Sequence, residues 1–536
     1  TEIYTLSLHD ALPISLRRAL ALESAQKGIV LLKNENGYLP LHPEKIKSIA
    51  VIGPNGDVAR MGGGGSGYLQ GHYGISPLQG LKNRLADKID IRFQRGFPEK
   101  LLKLPIAAND HFVLENGQPG IMAYYFNNRE LEGEPVLTRV ESAINFDWGY
   151  GGERDPEHPG SPQPGVIRLD QWSARWKGKF KSPGEGWYEI GLESDNGVRM
   201  YLDGVKVLDY WIDSKPAMFK TIRYKFKADR VYDLQVEFYE NIGSAVCRLG
   251  YAAYTPGTMP REAQKLASAS DVVILCLGLN RELEGEANDR QELSLPEEQV
   301  QLLEQILQVN KNVVVVLNNG TPILMNEWIG KVPAVIEAFY PGQEGGNALA
   351  DILLGRTNPS GVVPFTFPRQ WQDCPAFATY PGEKSLARYK EDILVGYRWF
   401  DEYNLEPLFE FGYGLSYTTF AFKNLLISPT AFSGDKPVQV SFDLTNTGSR
   451  AGAKAVQLYV QDVAASIPRE KKSLRGFAKI ELAPGESKRV AFTLTAADFS
   501  FFNPERRRWQ MESGVFNILI GHSSRDIQLL GRVEYF

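Results

Sequence analysis

The stretch "LNRELEGEANDR", residues 279–290, places four carboxylates and two arginines in twelve positions, directly after the aliphatic run "DVVILCLG". Ligands of open α/β sheets bind at the carboxyl ends of the strands, so a charged loop at such an end is a candidate for catalysis. An acid that works there also needs a catalytic partner. The alternative is a solvated turn in which Glu284 and Glu286 pair with Arg281 and Arg290. Spacing alone leaves both interpretations open.

A glycine-rich loop, "GGGGSGYLQGHYG" (62–74), follows another aliphatic strand, "SIAVIGPNGD" (48–57). Its glycines formally satisfy GxGxxG, but a dinucleotide site needs a helix beginning there and an acidic residue about twenty positions on. The following "YLQGHYGISP" does not have the pattern of a helix. We therefore predict a flexible loop that borders a ligand cleft, with Gly64, Gly65, Ser66 and Gly67 as cleft residues.

Composition excludes several classes of function. The chain has 536 residues, enough for three or more domains, and a net charge of −5, which argues against nucleic acid or an anionic membrane as partner. No run approaches ~18 apolar residues, so no membrane span is predicted. The three cysteines and six histidines follow no metal-binding or disulfide spacing. We predict no metal and no cofactor.

Alternating strand and helix patterns predict an α/β domain with a parallel sheet covered on both faces, over 16–112 and 256–380. The segment 16–41 is predicted to open as a helix and to turn at Asn36-Gly37. Pro296 is predicted at the first position of a helix over 296–310. Strands over "NVVVVLNNG" and "PAVIEAFYPG" precede a helix closed by Gly355. Four strand ends at one edge result: 53–57, 278–290, 318–322 and 340–346.

Two further regions show the period-two alternation of β-strands. Residues 113–255 are aromatic-rich, with hairpin turns predicted at Asn196-Gly197 and Asp203-Gly204, so an all-β domain is inserted into the α/β domain. Residues 425–536 contain about seven short strands and predict an immunoglobulin-like sandwich. Residues 381–424 are predicted as a connector, in which "RYKEDILVGYRWFD" (388–401) packs across the domain faces.

The chain resembles the C-terminal two-thirds of a glycoside hydrolase family 3 enzyme of the β-glucosidase type. The phrases that carry the resemblance cover nearly everything outside the insertion: "ESAQKGIVLLKNENGYLPL", "IAVIGPN", "GGGGSGYL", "SDVVILCLGLNRELEGEANDRQELSLPEEQVQLL", "VPAVIEAFYPGQEGGNALADILLGRTNPSGVVPFTFP" and "PLFEFGYGLSYTTF". The tail resembles that family's fibronectin type III-like domain. The insertion, with "INFDWG" and "GLESDNGVRMYLDG", resembles a PA14 module.

The resemblance implies roles for individual residues. It implies that Glu286, within "GEANDR", is the acid/base of a retaining glycosidase, with Glu284 as the second choice and as a loop or salt-bridge residue otherwise. Arg290, the arginine of the same phrase, is placed at the cleft. A retaining mechanism needs two carboxyl groups ~5 Å apart, and the acid needs a raised pKa, which a closing cleft wall and a neighbouring carboxylate can provide.

The resemblance also implies an N-terminal TIM-like barrel that carries the aspartate nucleophile in a phrase similar to S-D-W. The nearest phrase here is "NFDWG", and Asp147 lies between β-strand patterns, which indicates a structural aspartate. A barrel of ~250 residues does not fit before "SIAVIGP". We therefore expect the barrel to be missing, and this chain alone to be inactive. The missing barrel of the same parent protein becomes the expected partner.

Two functions are carried forward. The first is a C-terminal part of a retaining β-glycosidase that hydrolyses terminal non-reducing β-linked sugars. The second is a carbohydrate-binding protein without catalysis. Residues 1–15, "TEIYTLSLHDALPIS", do not read as a signal peptide and resemble a translated sequencing-adapter artefact. The identity of the sugar, the compartment (cytoplasm or periplasm) and a homo-oligomeric state stay open.

Overall fold

The computed structural model describes residues 14–68, 71–97, 104–151, 153, 155–213, 217–254, 258–281, 283–286, 290, 292–380, 382 and 386–536. The predicted segment 1–15 lies outside these residues except for Ile14 and Ser15, which begin the first helix. The helices are α1 (Ile14–Gly28), α2 (Pro77–Leu85), α3 (Thr258–Ser268), α4 (Glu297–Val309), α5 (Gly345–Leu353), α6 (Tyr397–Glu402) and α7 (Ala496–Phe499). In the part of the chain described, none of them is long and apolar enough to cross a bilayer.

The strands fall into three regions. The α/β region contains β1 (Val30–Asn34), β2 (Ser48–Ile52), β3 (Asp90–Gln94), β15 (Val272–Gly278), β16 (Val313–Asn318) and β17 (Ala334–Glu337). The insertion contains β4 (Phe112–Val113), β5 (Ile121–Phe126), β6 (Leu137–Glu141), β7 (Asn145–Gly149), β8 (Trp172–Lys181), β9 (Gly186–Ser194), β10 (Val198–Leu202), β11 (Val205–Tyr210), β12 (Met218–Phe226), β13 (Val231–Glu240) and β14 (Ala245–Ala253). The C-terminal region contains β18 (Phe420–Ser428), β19 (Ala431–Phe432), β20 (Val438–Asn446), β21 (Gly452–Asp462), β22 (Ser473–Leu482), β23 (Ser487–Leu494), β24 (Phe501–Asn503), β25 (Arg508–Gln510), β26 (Gly514–Gly521) and β27 (Ile527–Tyr535).

The α/β region has one six-stranded sheet in the order β1-β17-β16-β15-β2-β3. Strands β15 and β16 are aliphatic apart from Cys276, Gly278 and Asn318, and all their residues are buried, because helices cover both faces of the sheet. Helices α3 and α4 pack on one face, and α1, α2 and α5 pack on the other. The predicted doubly covered sheet is present, and Gly355 ends the α5 segment with φ +66° as predicted.

The sheet is not wholly parallel. Strand β1 pairs with β17 in the antiparallel direction and forms an edge of the sheet. The sequence prediction took 16–41 as a helix leading into a turn and missed this strand, whose fully apolar start, "VLL", gives no alternation. Helix α4 begins at Glu297, so Pro296 occupies the N-cap position rather than the first helical position.

The insertion is a sandwich of two antiparallel sheets. One has the order β11-β10-β13-β8-β5-β6, with β4 also on β8, and the other has the order β12-β9-β14-β7. Large aromatic side chains such as Trp172, Trp176 and Phe238 fill the space between them. Because Ile106 bridges Gly250 and β4 pairs with β8, the insertion begins near residue 104, and the predicted boundary at 113 is too late.

The two predicted hairpins have different outcomes. Asp203 and Gly204, with φ of 50° and 76°, connect β10 to its antiparallel neighbour β11, as predicted. Asn196-Gly197 connects β9 to β10, which lie in different sheets, so the predicted hairpin there is wrong. A turn signal marks the reversal of the chain, but it does not specify which of the two sheets the next strand joins.

The C-terminal region is a β-sandwich of a three-stranded sheet, β18-β20-β23, and a five-stranded sheet, β19-β27-β26-β21-β22. Its core contains Val440, Phe442, Val456 and Ile518 from facing strands. Strand β18 begins at Phe420, so the sandwich starts before the predicted boundary at 425. The connector before it contains α6.

Candidate active site

Loops that follow four neighbouring strands meet at the carboxyl edge of the α/β sheet. Strand β15 ends at Gly278, opposite Asn318 at the end of β16. Gly278 has φ +119°, and a Cβ there would lie 2.2 Å from the carbonyl oxygen of Asn318, so only glycine fits. The buried Gln299 amide bonds to both the N–H and the carbonyl of Gly278, at 2.8 and 2.7 Å. The start of the charged loop is therefore fixed.

Glu284 is the buried member of the charged loop. Its side chain is 9% exposed, and Oε2 accepts hydrogen bonds from the Gly320 N–H and the Tyr340 hydroxyl, both at 2.7 Å. Gly320 follows β16 and Tyr340 follows β17, so one carboxylate oxygen connects three strand ends. The predicted pairing of this carboxylate with an arginine is replaced by bonds to neutral donors.

The glycine-rich loop docks on the charged loop. The Gly64 N–H donates to the Glu284 carbonyl at 3.1 Å, and Gly64 forms a parallel bridge with Gly285. Gly65 has φ +67°, and a Cβ there would lie 2.3 Å from Cβ of Glu286. Residues Gly65–Gly67 form a single 3-10 turn. Because Gly64 bonds to the Glu284 carbonyl and Gly65 lies against Glu286, the predicted cleft loop and the predicted acid/base loop are in direct contact.

Glu286 is exposed at the tip of this assembly. Its Oε2 accepts a hydrogen bond from the Ser66 N–H at 2.9 Å, and the hydrogen bonds from Ser66 lower the pKa of the Glu286 carboxyl. A glycosidase acid needs a raised pKa, which the sequence analysis assigned to a closing cleft wall and a neighbouring carboxylate. In this chain the pKa is lowered instead, because the side chain is open to solvent and its anion is hydrogen-bonded.

Arg290 is bonded into the base of the charged loop. Its guanidinium donates to Thr321 Oγ1 and the Ser294 carbonyl, both at 2.8 Å, and to the Pro322 carbonyl at 3.3 Å. Burial lowers the pKa of Arg290 although Glu284 is nearby. The structure therefore gives Arg290 an anchoring position, and its contact with a substrate stays a prediction.

Glu337, at the end of β17, was missed by the sequence analysis. It is fully buried, and its carboxylate accepts hydrogen bonds from the Phe339 N–H at 2.8 Å and the Asn319 amide at 2.9 Å. Burial raises the pKa of Glu337 to about 8, and the charge of Glu284 adds to this effect. The available signal was an acid inside the aliphatic run "AVIEAF".

The three acids of the site, two predicted and one missed, thus have separate environments. Glu286 is exposed and free to meet a ligand, whereas Glu284 and Glu337 are buried behind it and hold the loop ends. Asp147, the rejected nucleophile, lies on β7 in the insertion and bonds to Arg248 at 2.6 Å. Within the described ranges, no three His, Cys, Asp or Glu side chains come close enough to hold a metal ion.

The glycosyl hydrolase family 3 C-terminal domain matches residues 29–417, and a fibronectin type III-like domain matches residues 454–524. The chain belongs to glycosyl hydrolase family 3. The match spans both parts of the α/β region and the insertion between them. The predicted fibronectin type III-like tail is confirmed, and the resemblance of the insertion to PA14 stays a prediction.

Several family 3 proteins are similar to this chain. A β-glucosidase of Rhizobium radiobacter is 34% identical over 537 residues, covering 97% of this chain and 62% of its own length. The thermostable β-glucosidase B of Acetivibrio thermocellus is 47% identical over 268 residues, which are 50% of this chain and 35% of that protein. A β-glucosidase structure from Streptomyces venezuelae, in complex with D-glucose, has a TM-score of 0.70 at 26% identity, covering 100% of this chain and 62% of its own.

This family 3 chain spans about three fifths of the length of the β-glucosidases of Rhizobium radiobacter and Streptomyces venezuelae. Its charged loop and glycine-rich loop both lie within the matched range of residues 29–417.

Proposed function

We propose that this chain is the acid/base-bearing part of a retaining β-glucosidase that hydrolyses terminal non-reducing β-linked sugars. Glu286 would protonate the leaving oxygen, and the nucleophile would come from a barrel domain of the same parent protein. The observation that carries the proposal is the placement of Glu286: exposed, at a strand end, on a loop held by buried neighbours. The family membership and the β-glucosidase relatives support it.

The division of labour between the two loop acids follows from their contacts. Oε2 of Glu284 accepts hydrogen bonds from Gly320 and Tyr340, so this side chain holds the loop in place. Among the described residues, the side-chain hydrogen bonds of Glu286 are with Ser66, at the surface. A proton donor must reach the leaving oxygen at hydrogen-bond distance, and only the exposed acid can do so without breaking the loop.

The lowered pKa of Glu286 sets a condition on the proposal. A general acid works best with a pKa near the operating pH, and desolvation together with a nearby negative charge raises the pKa of a carboxyl group. A docked barrel would supply both, since it would cover the exposed carboxylate and bring the nucleophile to ~5 Å. The proposed acid therefore becomes competent only in the assembled enzyme.

The test is a leaving-group comparison on the chain assembled with the proposed barrel. Glu286→Gln is expected to lower kcat/KM by about 10²–10⁴ for aryl β-glucosides with poor leaving groups, and much less for dinitrophenyl glucosides, which need no protonation. Added azide should restore turnover by attacking the glycosyl intermediate. Glu284→Gln serves as the matched variant. If Glu284→Gln alone shows this pattern, the roles are reversed, and if the assembled protein binds sugars without cleaving them, the carbohydrate-binding alternative holds.

A further inference from the structure

A cavity lies where the α/β region meets the C-terminal sandwich, at residues distant in sequence from the charged loop. It has a volume of about 330 Å³, a size that accommodates a small ligand. Its walls come from residues 359–362 and 410–420 on one side, and from β21 and the turn between β26 and β27 on the other. Neither domain forms it alone.

Lys454, on β21, lines this cavity. The residue is 8% exposed, and its ammonium makes no hydrogen bond or ion pair shorter than 4 Å with any described residue. The side chain is buried, but its ammonium is not among the fully enclosed unpaired atoms and instead opens onto the cavity, where a ligand oxygen can accept its hydrogen bonds. Burial lowers the pKa of Lys454 to about 8, so the ammonium is still mostly charged at neutral pH.

Carboxylates lie on the other walls of the cavity. Glu410 accepts a hydrogen bond from the Ser523 hydroxyl on Oε1 at 2.6 Å, and its Oε2 accepts none from the described residues. Asp526 is the second acid, and the charges of Asp526 and Glu410 both act on Lys454. His522 adds a buried Nδ1 without a hydrogen-bond partner, and Phe420 adds an apolar wall.

This lining selects for one chemical class of ligand. With all three groups charged, two carboxylates and one ammonium give the lining a net charge of −1, which disfavours an anion, while the ammonium has only donors and needs an acceptor that a simple cation does not offer. A neutral ligand with several hydroxyl groups can accept from Lys454 and donate to Glu410 at the same time, while its C–H face packs on Phe420. Such a mixture of an apolar wall and a few placed polar groups is typical of small-molecule sites.

We propose that the cavity between the α/β region and the C-terminal sandwich binds a neutral polyol or monosaccharide through Lys454 and Glu410. The site is separate from the loop of Glu286, so the inference does not rest on the proposed function. Since both domains contribute walls, a bound ligand would also hold the sandwich against the α/β region.

The experiment titrates the 536-residue chain with D-glucose and with glycerol by isothermal calorimetry, and repeats the glucose titration in the presence of sodium sulfate. Lys454→Met and Glu410→Gln are each expected to weaken the binding at least about tenfold, because each removes a charge-assisted hydrogen bond. Lys454→Met should still fold, since an apolar side chain of similar volume replaces a buried charge.

Two matched variants separate this site from others. Lys479→Met changes an exposed lysine on the neighbouring strand β22, outside the cavity, and should leave glucose affinity unchanged. Glu286→Gln reports on the other candidate sugar site. The proposal is overturned if neither glucose nor glycerol binds with a dissociation constant of roughly tens of millimolar or lower. It is also overturned if Lys454→Met and Glu410→Gln both leave the affinity unchanged, or if sulfate competes with glucose for Lys454. Loss of binding only in Glu286→Gln would place the sugar at the other site and equally overturn it.

Discussion

The hydroxyl of Tyr340 donates to Oε2 of Glu284 at 2.7 Å, and this bond joins the loop after β17 to the loop that carries Glu286. Burial, followed by the hydrogen bond to Glu284, raises the pKa of Tyr340, so the hydroxyl stays protonated and able to donate. The exposed acid is therefore placed by a buried one, two residues earlier in the chain.

The bond between these two side chains should be measurable in the free energy of unfolding. Tyr340→Phe is expected to destabilise the chain by about 1–3 kcal/mol in urea titrations, because it removes one donor from a buried carboxylate. In a double-mutant cycle, Tyr340→Phe and Glu284→Gln should be coupled by more than about 0.5 kcal/mol. Tyr389→Phe, on a residue that is 81% exposed, is the control. Additive effects of the first pair would contradict the structure.

Gly65 should tolerate no side chain, because of its contact with Glu286. Gly65→Ala adds a Cβ at 2.3 Å from Cβ of Glu286, in addition to the strain of φ +67°. Gly117→Ala is matched for backbone strain, with φ +85° and nothing within 4 Å of the new Cβ. We expect about 1 kcal/mol of destabilisation for Gly117→Ala and clearly more for Gly65→Ala. Equal midpoints of thermal unfolding would show that the two loops do not touch.

Glu286 should titrate below the usual range of a glutamate in the chain by itself, because the hydrogen bonds from Ser66 stabilise its anion. Carbon-13 NMR of the side-chain carboxyl groups measures this, with Glu286→Gln identifying the signal. When the proposed barrel is added, the same signal should move to a higher pKa. A pKa that stays low in the assembled, active enzyme would exclude Glu286 as the proton donor.

Glu337 should make the chain less stable as the pH rises. Its folded pKa of about 8 is above the reference value of 4.5, so its favourable contribution is fully present below pH 4.5 and is lost as the pH rises to about 8. Glu337→Gln should remove this loss, with Glu130→Gln on the exposed surface of the insertion as control. Urea titrations between pH 5 and pH 8.5 test it, and parallel profiles for wild type and Glu337→Gln would refute the assignment.

The purified 536-residue chain is expected not to hydrolyse aryl β-glucosides, because the proposed function places the nucleophile on a separate barrel domain, and loss of one member of a catalytic pair typically costs several orders of magnitude. Asp147 bonds to Arg248 within the insertion, so Asp147→Asn should leave the activity of the assembled enzyme unchanged. A turnover by the chain alone that Asp147→Asn abolishes would give that residue a role that its position does not suggest.

Sequence patterns predicted the parts of this molecule that depend on local burial. The aliphatic runs of β15 and β16, the α4 and α5 helices, and the meeting of strand ends at the charged loop all follow from periodicity. The antiparallel β1 and the sheet change at Asn196-Gly197 depend on contacts distant in sequence, which no local pattern contains. The same limit applies to the site: the sequence singled out Glu286 and Glu284 as candidates, but their different burial depends on the contacts of Gly320 and Tyr340.

The ends of the insertion lie side by side. The Ala107 N–H donates to the Leu249 carbonyl, and the Tyr251 N–H donates to the Pro105 carbonyl, so the chain leaves and re-enters the α/β region through one short antiparallel pair. A domain whose termini adjoin can be gained, lost or exchanged in evolution without changing the register of the host strands. After the insertion, the α/β region continues with helix α3 and then strand β15, as it would after an ordinary surface loop. Shuffling of this unit between genes would diversify what surrounds the carboxyl edge of the sheet while its hydrogen bonding stays intact.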